Sequence, residues 1–129
     1  MGCTTARTPL FDGRLVPDRA AVAAVGSHAP DARLVDARPV GRADLLVEAR
    51  AVALREAGDL LVAGAGPERL VNPVELVTGG VAVGHDRPRL FKSVGTAWQD
   101  LAVAAAQYVR RAVSGPGSTA VSAAVSAAG

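Results

Sequence analysis

The stretch Arg89-Leu-Phe-Lys-Ser-Val-Gly95, running straight into residues 96–112, constrains the fold more than any other part of the chain. A short apolar run of strand type reaches Lys92-Ser93, Gly95 turns the backbone, and an alanine-rich helical pattern follows. Strand, glycine turn, helix is the repeating join of a parallel α/β layer, where amides at the helix start attract anionic ligands. Within 96–112, Trp98, Leu101, Ala105, Tyr108 and Ala112 recur at three- and four-residue steps. That spacing predicts one buried stripe, with Gln99, Gln107, Arg110 and Arg111 left in solvent.

Two more apolar runs fit the same layer. Ala21–Val25 is a short strand stopped by Gly26, and Leu45-Leu-Val47 is a buried strand with Glu48 at its end. Gly2-Cys-Thr-Thr5 reads as the tail of a strand entering a turn. Residues 50–57 carry strong helix formers, with Gly58 as the expected C-cap. Leu60-Leu-Val62 reads as a further strand or a continuation of the packed edge, broken by Gly64-Ala-Gly-Pro67. Pro73–Val77 reads as a short helix ended by Gly79-Gly80. Ser27 to Pro30 is a loop, and Asp31 and Asp36, flanked by arginines, belong to a solvated loop face. The order favours an α/β sheet over a bundle. The segments divide into 1–95, a long helix at 96–112, and an Ala/Ser-rich tail at 113–129 expected to be frayed or loosely helical.

The 129 residues suffice for one domain. Half are hydrophobic but only 3% are aromatic, so an alanine- and valine-rich core buries little area per residue. The net charge of +2 is dispersed, with Arg110-Arg111 and a lone nearby Tyr108. That pattern lacks the basic patch and stacking platforms of a nucleic-acid surface. Cys3 is the only cysteine, which excludes an intramolecular disulfide and a Cys-x-x-Cys metal knuckle. Residues 1–16 contain Arg7, Asp12 and Arg14 and do not read as a signal peptide. No run approaches the roughly 18 apolar residues of a membrane span. A cytoplasmic setting is expected.

Several residues are candidates for chemistry. His28 lies two residues beyond Gly26, past the C-terminal end of a strand, where α/β sheets hold ligands; its imidazole suits proton transfer near neutrality. Thr4 and Thr5 offer hydroxyls at another strand end, or simply cap a turn. Lys92 and Ser93 are the strongest pair. Lys92 alternates with Phe91, so it points to the other face, outward or to a helix carboxylate. Ser93 and Gly95 precede the helix start. Gly64-Ala-Gly66 superficially resembles a dinucleotide fingerprint, but residue 69 is arginine and Pro67 removes an amide. His85-Asp86 has no third ligand near it, so no metal site is expected.

In the order Cys3-Thr-Thr5, Thr8-Pro-Leu-Phe-Asp-Gly13, Val25-Gly-Ser-His28, Val47-Glu48, Ala53-Leu-Arg-Glu-Ala-Gly-Asp59, Leu90-Phe-Lys-Ser-Val-Gly95 and Asp100-Leu-Ala102, the chain resembles the ornithine cyclodeaminase / mu-crystallin family over about residues 3–112. The resemblance implies a partial Rossmann-like parallel sheet with a long C-terminal helix, returning towards an N-terminal domain. It implies NAD or NADP as cofactor, an amino- or imino-acid substrate, a homodimer, and oxidoreductase or deaminase chemistry. It places Cys3, Thr4, Thr5, Ser93, Val94 and Gly95 beside the cofactor, and His28 where ornithine cyclodeaminases carry an acidic catalytic residue and many relatives have histidine. The family's substrate domain and glycine-rich phosphate loop have no counterpart in these residues. The expectation is therefore a C-terminal fragment, incomplete for catalysis by itself; the alternative is a non-enzymatic remnant or a partner-binding α/β fragment.

Overall fold

A computed structural model describes residues 1–26 and 28–114. The expected frayed tail lies outside the described residues beyond Ser114, as does Ser27 of the expected loop. Five strands form one wholly parallel sheet: β1 (Gly2–Cys3), β2 (Ala21–Val25), β3 (Asp44–Val47), β4 (Leu70–Val71) and β5 (Arg89–Ser93), in the order β1-β2-β5-β3-β4. The helices are α1 (Ala37–Arg42), α2 (Arg50–Glu56), α3 (Gly58–Val62), α4 (Pro73–Val77) and α5 (Ala97–Ser114). This is the α/β class expected, with the three apolar runs as strands and the long helix in place.

Alternation along the strands sorts the faces. Ala24 of β2, Leu90 of β5, Leu45 and Val47 of β3 and Leu70 of β4 join one buried cluster with Val40 of α1, Ala53 of α2 and Leu60 of α3. Leu34 and Val35, on the loop returning from β2, complete that core at 1% exposure each. On the opposite face Ala21, Ala23, Leu46, Phe91 and Arg89 border an open cavity of about 410 Å³.

Three expectations for residues 1–95 need correction. Leu60–Val62 is helical, not a strand; a three-residue apolar run carries too little period to separate the two. Gly58 does not cap α2. Ala57 does, and Gly58 opens α3. Its role is close approach: a Cβ there would lie 2.2 Å from the Ala32 carbonyl oxygen and 2.7 Å from that of Ala29. Asp36 is half-buried rather than on a solvated face. It caps α1 by accepting from the Arg38 amide at 2.9 Å, and accepts from the Gly13 amide at 2.8 Å. The helix itself was hidden by Pro39 and Gly41. Pro39 sits in the first turn, where a helix has no use for the missing N–H.

Residues 1–95 form one compact unit, and α5 belongs to a second that begins at Thr96. Thr96 and Gln99 bracket the helix start, with the Thr96 amide donating to Gln99 Oε1 at 3.3 Å. The expected buried stripe is exposed: Trp98 by 61%, Leu101 by 69% and Tyr108 by 76%. Periodicity selects the face of a helix suited to burial, but does not supply a surface to cover it. Ala105 is exposed too, as are Arg110 and Arg111; the side chain of Ala112 lies outside the described residues.

Candidate functional site at the strand ends

The sheet is parallel, so the C-terminal ends of its strands share one edge. Register sets Cys3 beside Val25, and Val25 beside Ser93. The next residues continue the alignment. The Thr4 amide donates to the Val25 carbonyl at 3.2 Å, and the Gly26 amide donates to the Ser93 carbonyl at 3.1 Å. Gly26 has φ +100°, and a Cβ there would lie 2.5 Å from the Thr4 carbonyl oxygen. Glycine is therefore required where β2 leaves the sheet between β1 and β5.

Around this edge the expected residues fall into two groups. Cys3, Thr4, Thr5 and His28 are exposed. Thr4 Oγ1 accepts from the Ala6 amide at 3.2 Å, so it does cap a turn. Ser93 is buried and accepts from the Gly95 amide at 3.3 Å through its hydroxyl. His28 lies three residues beyond the end of β2.

Two carboxylates organise the edge, and neither was singled out from sequence. Glu48, one residue past β3, accepts from the Val94 amide at 3.1 Å and the Gly95 amide at 2.7 Å through Oε1. The amides expected to meet an anionic ligand thus meet an anion of the chain itself. The carboxylate fastens the turn between β5 and α5 to the end of β3.

The second is Asp59 in the first turn of α3. Its Oδ1 accepts from the Leu34 amide at 2.5 Å and the Val35 amide at 2.8 Å. Its Oδ2 lies 2.7 Å from Lys92 Nζ, with the side chains 0% and 1% exposed. Of the two directions open to Lys92, the helix carboxylate is the one realised. The ammonium also donates to the Gly26 carbonyl at 2.5 Å. A lysine inside an apolar strand and an aspartate just before Leu-Leu-Val were the available sequence signals, since lone buried charges require partners.

Other ion pairs are peripheral. Arg50 bonds Glu75 at 2.6 Å and the Leu70 carbonyl at 2.8 Å, tying α2 to β4 and α4. That guanidinium, with the Asn72 amide, holds the Glu75 carboxyl below its ordinary range. Among the described residues no three His, Cys, Asp or Glu side chains group to hold a metal, and no helix is long and apolar enough to cross a membrane.

The sequence profile of the "Ornithine cyclodeaminase/mu-crystallin family" matches residues 1–116. The chain is 34% identical over 105 residues to ketimine reductase mu-crystallin of Mus musculus, covering 81% of this chain and 33% of that protein. It is 39% identical over 111 residues to a Delta(1)-pyrroline-2-carboxylate reductase of Colwellia psychrerythraea, covering 78% and 34%. Among solved structures, a probable ornithine cyclodeaminase from Bordetella pertussis Tohama I superposes with a TM-score of 0.72 at 32% identity, covering 79% of this chain and 35% of that one. The Thermococcus litoralis Delta(1)-pyrroline-2-carboxylate reductase, in complex with NADH and L-proline, gives 0.65 at 29%, covering 72% and 31%. The chain spans about a third of the length of the curated relatives it matches.

Proposed function

Because the chain belongs to the ornithine cyclodeaminase/mu-crystallin family, we propose that residues 1–95 supply the nicotinamide-side wall of an NAD(P)-dependent enzyme acting on a cyclic imino acid or an amino acid. One observation carries this reading. Cys3, Val25 and Ser93 stand side by side at one sheet edge, with Thr4, Thr5, Val94 and Gly95 continuing from it and His28 on the adjoining loop. The names of the relatives, ketimine reductase and pyrroline-2-carboxylate reductase, favour imino-acid reduction over ornithine cyclisation. Histidine in place of an acidic residue at position 28 favours it too, because an imidazole suits a substrate ammonium less well than a carboxylate does.

These residues fit one end of the cofactor. Exposed Thr4 and Thr5 offer hydroxyls to a ring that carries a carboxamide. They do not fit its pyrophosphate. Gly64-Ala-Gly66 leads into a 3-10 turn at Pro67–Arg69, not into a long helix, and Glu48 takes the Val94 and Gly95 amides. When bound, the dinucleotide supplies the hydride. The chain's own part is to place the substrate and move a proton at the His28 imidazole, while Glu48 fixes the turn behind Ser93. The complete enzyme would be a cytoplasmic homodimer, with α5 returning towards the substrate domain.

The test is calorimetric titration of the 129-residue chain with NADH and NADPH. Binding weaker than about 1 mM is expected, worth less than about 4 kcal/mol, because the phosphate cradle is lacking. Micromolar affinity would refute the assignment of a half-site. A second reading, a partner-binding fragment without turnover, draws on the exposed Trp98, Leu101 and Tyr108 of α5. It gains if a polypeptide joining this chain to the N-terminal two thirds of a relative folds but does not oxidise NADH or NADPH with Delta(1)-pyrroline-2-carboxylate.

A further inference from the structure

We infer that the buried Lys92–Asp59 pair is a positioning clamp for the loop that carries His28. The loop leaves β2 at Gly26 and re-enters the core at Leu34 and Val35. Both of its ends attach to the same ion pair. At the departing end, Lys92 Nζ donates to the Gly26 carbonyl at 2.5 Å. At the returning end, Asp59 Oδ1 receives the Leu34 and Val35 amides at 2.5 and 2.8 Å. Between the two ends runs the 2.7 Å contact of Nζ with Oδ2.

The residue next to Asp59 serves the same loop. Gly58 lets the carbonyls of Ala29, Pro30 and Ala32 approach the start of α3, where a Cβ would stand 2.2 to 2.8 Å from all three. Asp59 and Gly58 therefore hold the loop's middle and its return, and Lys92 holds its start. The start is two residues from His28, so a displacement of the Gly26 carbonyl is passed along a short stretch of chain to the imidazole.

The energetics favour positioning over stabilisation. A buried ion pair contributes little net stability compared with apolar residues of similar volume, because both ions lose their hydration. Its particular property is multiplicity: an ammonium offers three donors and a carboxylate several acceptor sites, so one pair can hold several backbone groups at once. Here those bonds go to backbone groups at the two ends of one loop. Lys92 and Asp59 are thus positioning residues. They act through the backbone, and neither is assigned contact with substrate.

This inference rests on the reading of His28 as the proton-moving group, but its experiment requires no turnover. The Lys92→Met/Asp59→Leu double variant of the 129-residue chain replaces the pair with apolar side chains. Amide hydrogen exchange is followed at Leu34 and Val35, and at Leu45 and Leu90 in the central strands. The His28 ring is followed by NMR. Expected is exchange at least about tenfold faster at Leu34 and Val35, the scale of one lost hydrogen bond. Leu45 and Leu90 should stay within about threefold of the parent, and the His28 ring signals should shift and collapse towards averaged values. Equal acceleration at all four amides would show a general staple of the fold and overturn the clamp. Unchanged Leu34 and Val35 would overturn it as well.

Should the double variant fail to fold, Asp59→Glu decides. It keeps both charges and moves the carboxylate by one methylene, a change that cores tolerate better than an unpaired buried charge. Exchange at Leu34 and Val35 should quicken and the His28 ring signals should move while Leu45 and Leu90 keep the parent's protection; an unmoved ring overturns the proposal. A clamp that behaves as expected beside a His28 variant with full turnover would leave the clamp standing and remove the catalytic reading.

Discussion

Lys92 Nζ and Asp59 Oδ2 lie 2.7 Å apart in the interior of the α/β unit, 33 positions apart in sequence and almost wholly withdrawn from solvent. Lys92→Met would leave the Asp59 carboxylate buried with two amides and no cation. Breaking such a pair from one side costs about 3–5 kcal/mol, and a small alanine- and valine-rich core has little reserve. Urea denaturation should show Lys92→Met largely unfolded or strongly destabilised. The Lys92→Met/Asp59→Leu double variant should recover most of the loss. A single variant as stable as the parent would mean that the pair is not closed in solution.

Glu48 governs a smaller piece of structure. Glu48→Ala frees the Val94 and Gly95 amides at the turn between β5 and α5. Hydrogen bonds to a charged acceptor contribute about 1.5–3 kcal/mol, and half-burial of Glu48 places the loss near the lower end. Exchange of the Val94 and Gly95 amides should accelerate about tenfold or more, with Glu48→Gln retaining most of the protection. Parent-like exchange in both variants would assign the turn's order to the backbone alone.

Strands β1, β2, β3 and β5 were legible because each carries a local signal, whereas β4 is only Leu70–Val71, too short to show a period. Ala21–Val25 and Arg89–Ser93 are apolar runs closed by glycine or by a turn, and Pro73–Val77 has its proline where a helix begins. The α1 helix was not legible, since Pro39 and Gly41 contradict local propensity and its cap, Asp36, also answers to Gly13. Asp59 and Glu48 were missed for a related reason. Their partners are backbone amides 24 to 47 residues away, and sequence spacing contains no trace of such contacts. The stripe of α5 was read correctly as a pattern and wrongly as buried.

Acid titration offers an independent check on the surface. Asp12 accepts from the Arg14 guanidinium and amide, which lowers its carboxyl from 3.8 to about 2. A depressed folded-state value means that the interaction stabilises above the unfolded value and is lost as pH falls through the folded one. Carbon-13 NMR should place the Asp12 midpoint near 2, and Arg14→Gln should return it towards 3.8. Both side chains face solvent, so the accompanying change in global stability should be small. An unchanged midpoint in Arg14→Gln would assign the shift to the backbone amide and the Arg38 charge.

The role of His28 is testable where these residues are joined to the substrate-binding part of a relative. His28→Asn keeps hydrogen-bonding capacity and removes a group that titrates near neutrality. Loss of general acid–base catalysis costs about 10²–10⁴ in rate. The expected outcome is a fall of that order in kcat for the imino acid, with cofactor affinity nearly unchanged and one limb of the pH–rate profile removed. The proposed division of roles predicts this combination, with His28 on the loop beyond β2 as the proton-moving group and Cys3, Thr4 and Ser93, at the neighbouring strand ends, as binding groups. A variant that lost cofactor affinity instead would place His28 among the binding groups. Full turnover with an intact profile would make it a surface histidine.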